Sequence, residues 1–131
     1  SDIEYMKIYL NFIERCQMTD GSFINYVDKY NVIEARNSNE NLEDSNGRAI
    51  WALGYFLGLP LSSEQAPLIN QAIYCLKKGV KNAEKFNSPR AIAFSIKGLY
   101  YWNSVQPSLP IRNSIKVLST KIQAGFGIYP Q

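Results

Sequence analysis

The chain has 131 residues, 46% hydrophobic and 19% charged, enough for one domain with a real core and too apolar for extended intrinsic disorder. Its net charge of +3 is spread along the chain without a basic block, so no nucleic-acid partner is expected. Histidine is absent, which removes Ser-His and Cys-His catalysis, argues against a zinc site, and leaves carboxylates, lysine and tyrosine for acid–base work; no cofactor is expected.

The first predicted helix runs from Ile3 to Gln17, with Tyr5, Tyr9, Phe12, Ile13 and Cys16 at helical spacing and Lys7, Asn11, Glu14 and Arg15 elsewhere on the wheel. It carries no signal-peptide pattern, and no apolar run in the chain reaches the ~20 residues of a membrane span. The expectation is a cytoplasmic protein without a membrane partner. Gln17 ends the helix, Asp20-Gly21 makes a turn, and Phe23 re-enters the core. From Met18 to Asn46 the apolar density drops over about 29 residues, far beyond the ~4–6 of an ordinary connection, which marks a segment with a task. Within it "SFINYV" reads as a short extended piece, and Phe23, Tyr26 and Tyr30 are candidate ligand aromatics.

The second helix is expected from about Gly47 to Leu57, apolar all round and therefore buried on every side. A third, roughly Glu64 to Lys85, is one-sided: Ile69, Ala72, Ile73, Leu76, Val80 and Ala83 form a stripe, and Lys77, Lys78 and Lys81 face away. Ser88-Pro89 starts a fourth helix to about Val105, again apolar nearly all round; Trp51, Tyr55, Tyr100, Tyr101 and Trp102 could stack on sugar rings, but on enclosed helices they are expected in the core. Pro107 and Pro110 introduce a fifth, with Ile111, Ile115, Leu118 and Ile122 on one face. Cys16 and Cys75 fall on apolar stripes and are too few for a disulfide scaffold, so they read as reduced core thiols.

One-sided helices alternating with enclosed ones describe an all-α fold of stacked antiparallel αα-hairpins. The echo between "SNGRAIWA" and "NSPRAIAF", which superposes Arg48 on Arg90, fits one hairpin per repeat. Alternation sets the starts of both enclosed helices, and the long segment before the first, at one end of the stack. Helix N-termini suit that rim to anionic or strongly polar ligands. Glu43 and Asp44 stand there, either as ligand groups or with Asp44 or Ser45 as a helix cap. Arg48 and Arg90 pair with Asp44, Asp20 or Asp28, or meet a ligand.

"FIERCQMTDGSFINYVDKY", "NLEDSNGRAIWALGYFL" and "SPRAIAFSIKGLYYW" together resemble part of an (α/α) toroid of the six-hairpin glycosidase-like type. More narrowly, they resemble the helical region of some bacterial glycosyltransferase-type proteins, where a Q-x-x-D-G-x-F-x-N-[FY] turn precedes E-D-[SH]-x-G-R-A-[LI]-W-A-L. Gln17, Asp20, Gly21, Phe23, Asn25 and Tyr26 match the first motif. Glu43, Asp44, Ser45, Gly47, Arg48, Ala49, Trp51, Ala52 and Leu53 match the second. The resemblance implies carbohydrate metabolism and a partial toroid of about five main helices. Asp20, Glu43 and Asp44 are then the candidate catalytic carboxylates, and Asn25, Tyr26, Asp28, Arg48 and Arg90 the candidate saccharide contacts. Nucleotide-sugar chemistry would belong to a separate α/β domain, so the chain is expected to be a fragment of a longer protein whose other domains are its partners. Five helices make fewer than half of a six-hairpin ring, and an uncovered apolar side predicts self-association, with a homodimer as one form. A non-catalytic helical-repeat module that binds a protein partner is the alternative. Gln17-x-x-x-Gly21-x-Phe23 also resembles the Q-x-x-x-G-x-W repeats of terpene cyclase toroids, although phenylalanine replaces tryptophan and the aspartate-rich motif is missing.

Overall fold

The computed structural model describes residues 2–24 and 39–126. Over these residues the protein is all-α, with helices α1 (Asp2–Cys16), α2 (Asn39–Leu57), α3 (Ala66–Ala83), α4 (Pro89–Val105) and α5 (Leu109–Phe126), and a 3-10 turn at Ser63–Gln65 that leads into α3. The starts follow from local chemistry. Ser62 and Gln65 exchange bonds as a capping box before the 3-10 turn. Ser88, in extended conformation, accepts from the Ala91 N–H ahead of Pro89, and Ser108 accepts from the Ile111 N–H at the start of α5.

α2 and α4 form the centre. They run parallel and nearly touch, because glycines remove the side chains that would hold them apart. A Cβ on Gly54 would lie 2.1 Å from the Gly98 carbonyl oxygen, and one on Gly98 would lie 2.2 Å from that of Ile50. Gly47 meets Ala91 at the same offset by which Gly54 meets Gly98. That offset is two residues longer than the Arg48-to-Arg90 echo, so Arg90 sits half a turn nearer the helix starts than Arg48. α3 packs on α2, α5 on α4 and α1 on α3, which gives the expected hairpin stack with one-sided helices outside. Ile50, Leu53, Cys75, Leu76, Leu99 and Leu118 are the centre of one continuous core. Cys16 and Cys75 are buried free thiols, as their stripes imply. Burial pushes the Cys75 thiol up to about 11 and raises that of Cys16, so both stay protonated at neutral pH.

Three sequence expectations are corrected. α2 begins at Asn39 rather than near Gly47, so Glu43 and Asp44 are helical residues and neither Asp44 nor Ser45 is its cap. The polar stretch before Gly47 argues for a connection; Glu43, Asp44 and Asn46 instead reach partners elsewhere in the fold from a helix that is already formed. On α1 the buried stripe is Leu10, Ile13 and Cys16, with Met6 packed beside it, while Tyr5, Tyr9 and Phe12 are exposed together with Ile8. Both stripes have helical period, and only packing on α3 chooses between them. Finally, α2 and α4 are not enclosed by the described residues. Arg48, Tyr55, Lys97 and Tyr100 are exposed and Trp51, Phe94 and Tyr101 are half-buried, because α3 and α5 cover one side of the pair and nothing among the described residues covers the other.

Candidate functional site

The Gln17–Ile24 turn is built as its residue types require. Gly21 adopts φ +91°, the left-handed region in which glycine alone is unstrained, and a Cβ there would lie 1.9 Å from the Lys78 carbonyl oxygen. Gln17 forms an antiparallel bridge with Phe23, and its amide donates to the Gly21 carbonyl at 3.1 Å and to the Cys75 carbonyl at 2.8 Å, which ties the turn to α3. Phe23 then enters the core. Its backbone is held by Asn46, which is 2% exposed: Asn46 Oδ1 accepts from the Phe23 N–H at 2.6 Å and Nδ2 donates to the Phe23 carbonyl at 2.8 Å. Asn46 Nδ2 also reaches the Leu42 carbonyl, and Asn82 donates to Oδ1. The two halves of the motif pair, twenty-odd residues apart in sequence, are therefore locked to each other through one side chain.

Each predicted carboxylate has a partner of its own. The Glu43 Oε1 atom accepts from the backbone N–H groups of Asn87 and Ser88 at 2.9 and 2.7 Å, so this residue of α2 anchors the turn into α4. Glu43→Ala leaves both donors without that acceptor, and urea unfolding should report a loss of about 1–2 kcal/mol; an unchanged midpoint would show that the bonds contribute nothing. Asp44 sits between two guanidinium groups, 2.8 Å from Arg48 and 3.5 Å from Arg90. Both arginine side chains are more than half exposed, so these pairs are weak stabilisers and accessible ones. The Asp20 carboxylate accepts from the hydroxyl and the N–H of Ser22 at 2.6 and 3.0 Å. The Ser22 hydroxyl, followed by the Ser22 N–H, holds the Asp20 carboxyl below its ordinary value. A depressed carboxyl is ionised across the neutral range, and the stability it lends is present above the usual carboxylate pKa and lost as pH falls through the lowered one. That is the reverse of a proton-holding general acid.

From Asp44 upward the open side of the α2–α4 pair carries a ladder of charged and aromatic side chains. Arg90 stands 5.9 Å from the Phe94 ring centre, the rings of Phe94 and Trp51 stack at 5.3 Å with planes 10° apart, and Lys97 Nζ lies 4.7 Å from the Trp51 centre. Tyr55 and Tyr101 meet edge to face at 5.6 Å beyond them. Residues 44, 48, 51 and 55 on one helix and 90, 94, 97 and 101 on the other share one face because the two helices are parallel and in register.

Of the sequence-predicted residues, the structure brings Asp44, Arg48 and Arg90 together at the foot of this ladder. Glu43 is turned to the Asn87–Ser88 turn, and Asp20 borders a separate groove between α3 and α5. No hydrogen bond or ion pair joins Asp20 to either of the other acids among the described residues. Asn25, Tyr26 and Asp28, with Tyr30 and the second half of the predicted extended piece, lie outside the described residues. The aromatic rungs of the ladder read as core in the sequence. The signal that could have exposed it was the placement of Arg48, Arg90 and Lys97 at spacings of three and four from Trp51, Phe94 and Tyr101. Among the described residues no cluster of His, Cys, Asp or Glu could hold a metal ion, and no helix is long and apolar enough to cross a membrane. No protein-family model, curated protein or solved structure matches the chain.

Proposed function

We propose that the chain is a saccharide-binding helical-hairpin domain of a carbohydrate-active protein, with the open face of α2 and α4 as its binding surface. The observation that carries this reading is the ladder. It offers aromatic rings for the C–H faces of a pyranose beside the Asp44 carboxylate and the Arg48 and Arg90 guanidinium groups for its hydroxyls, on two rigid helices. Lys97 is exposed and flexible, and would yield its place over Trp51 to a sugar ring. The motif pair that resembles glycosyltransferase-associated toroids supports the substrate class. Glycoside hydrolysis asks for two carboxyls about 5 Å or about 6.5–9.5 Å apart across the bond, one of them protonated. Asp20, Glu43 and Asp44 each engage separate donors, so the proposal is recognition, with Asp44 orienting a sugar rather than cleaving it.

The test follows the indole resonances of the two tryptophans while a panel of neutral and acidic oligosaccharides is titrated in. A binding saccharide should shift Trp51 saturably and leave Trp102 in place, and Asp44→Ala should weaken the response. A panel that leaves Trp51 unmoved at millimolar concentration would sink the reading. One observation favours the alternative of a protein-binding helical module: Tyr5, Ile8, Tyr9 and Phe12 make an exposed apolar stripe on α1, of the type laid into a partner's groove.

A further inference from the structure

On the opposite side of the molecule α3 and α5 diverge and leave a groove of about 830 Å³, within the range of small-molecule sites. Its floor is apolar: Val80 of α3, Trp102 of α4 and Ile111 of α5. Its α3 wall is cationic, with Lys77, Lys78 and Lys81 spaced so that 77 and 81, and 78 and 81, are helical neighbours of like charge. The negative end of the helix dipole accounts for Lys81, in the last turn, and not for the two that precede it. Two acids border the groove, and both are engaged: Glu84 accepts the Ser114 hydroxyl at 2.7 Å, and Asp20 accepts from Ser22. Lys78 lies 5.2 Å from the Tyr74 ring, whereas Lys77 and Lys81 make no ion pair or side-chain hydrogen bond among the described residues. The groove thus combines ammonium groups that outnumber its two carboxylates, three to two, with an apolar base beneath them.

We propose that this groove binds a phosphate monoester carrying a ring-sized apolar group, with the ester phosphate at Lys77 and Lys81 and the ring over Trp102 and Ile111. Lysine serves here as a point charge for a dianion, and the anion relieves the repulsion along α3. The ring fills a volume whose base excludes a fully hydrated ion from its best contacts. This site shares no residue with the ladder and does not depend on the saccharide reading. The two tryptophans separate them, since Trp51 belongs to one face and Trp102, whose indole N–H donates to Gln106 at 2.9 Å, to the other.

The experiment titrates 2-naphthyl phosphate, 2-naphthol and inorganic phosphate separately into the full chain and follows both indole resonances, assigned with Trp51→Phe. Naphthyl phosphate should shift Trp102 saturably with Trp51 unmoved, and should bind more tightly than either component alone. Lys77→Gln/Lys81→Gln, on an exposed helix surface where folding is unaffected, should weaken it by roughly three- to tenfold. The single variant Lys81→Gln should fall between. An unshifted Trp102 overturns the site, and equal affinity for naphthol overturns the role of the lysines, as does an unchanged affinity in the double variant. Equal affinity for inorganic phosphate overturns the role of the apolar floor.

Discussion

Gly98→Ala should lower the stability of the chain by about 3 kcal/mol or more and its unfolding temperature by roughly 10 °C. Helix propensity alone predicts the opposite sign, since alanine in a helix interior is favoured over glycine by about 1 kcal/mol. The added methyl, however, would lie 2.2 Å from the Ile50 carbonyl oxygen and 2.9 Å from the Trp51 Cα, both backbone atoms that no rotamer change can move. The helices must separate, and the loss of contact along Ile50, Leu53, Ala91 and Leu99 exceeds the gain in propensity. Ala93→Gly, at an exposed position of the same helix, supplies the reference: it should cost about 1 kcal/mol by propensity alone. Thermal and urea unfolding of the pair decide the matter, and a Gly98→Ala chain more stable than wild type would refute the backbone contact between α2 and α4.

Asn46→Leu should cost about 3 kcal/mol, although leucine is close to asparagine in size and more apolar. The substitution removes an acceptor from the Phe23 N–H and from Asn82, and a donor from the Phe23 carbonyl, inside a region from which water is excluded. Each orphaned buried group costs about 1–3 kcal/mol. Asn46→Asp keeps the acceptor for the Phe23 N–H and loses the donor to its carbonyl, so it should not restore the wild-type midpoint. Urea denaturation of both variants reads the effect, and a leucine variant with the wild-type midpoint would show that Asn46 does not hold the turn.

These two positions also mark how far the sequence could be read. The helix order and the one-sided character of α3 and α5 were legible, because Leu76, Val80, Ile111 and Leu118 recur at spacings that only one face satisfies. Ser88-Pro89 announced a helix start that the Ser88–Ala91 bond fulfils. The close approach at Gly54 and Gly98, by contrast, has no sequence signal, since nothing in one segment announces which other backbone will lie against it. The same blindness hid the ladder: Trp51 and Phe94 are apolar enough for a core, and only the lack of a covering helix among the described residues makes them a surface. Asp20 and Glu43 carry a catalytic expectation through the family resemblance alone, and an acid's role stays ambiguous until its donors are placed. The backbone N–H groups of Ser22 and of Asn87 and Ser88 are such donors, and sequence patterns do not report backbone positions across a fold.

The Asn46 clasp on Phe23 bears on what the chain between them is free to become. Once two distant points are joined through buried bonds, further residues in the intervening segment cost only closure entropy, about 0.6 kcal/mol for each doubling of length. The helical stack thereby fixes where the segment departs, at Phe23, and where it returns, on α2. Lengthening the connection ahead of α2 is therefore a far smaller perturbation than losing Asn46 itself.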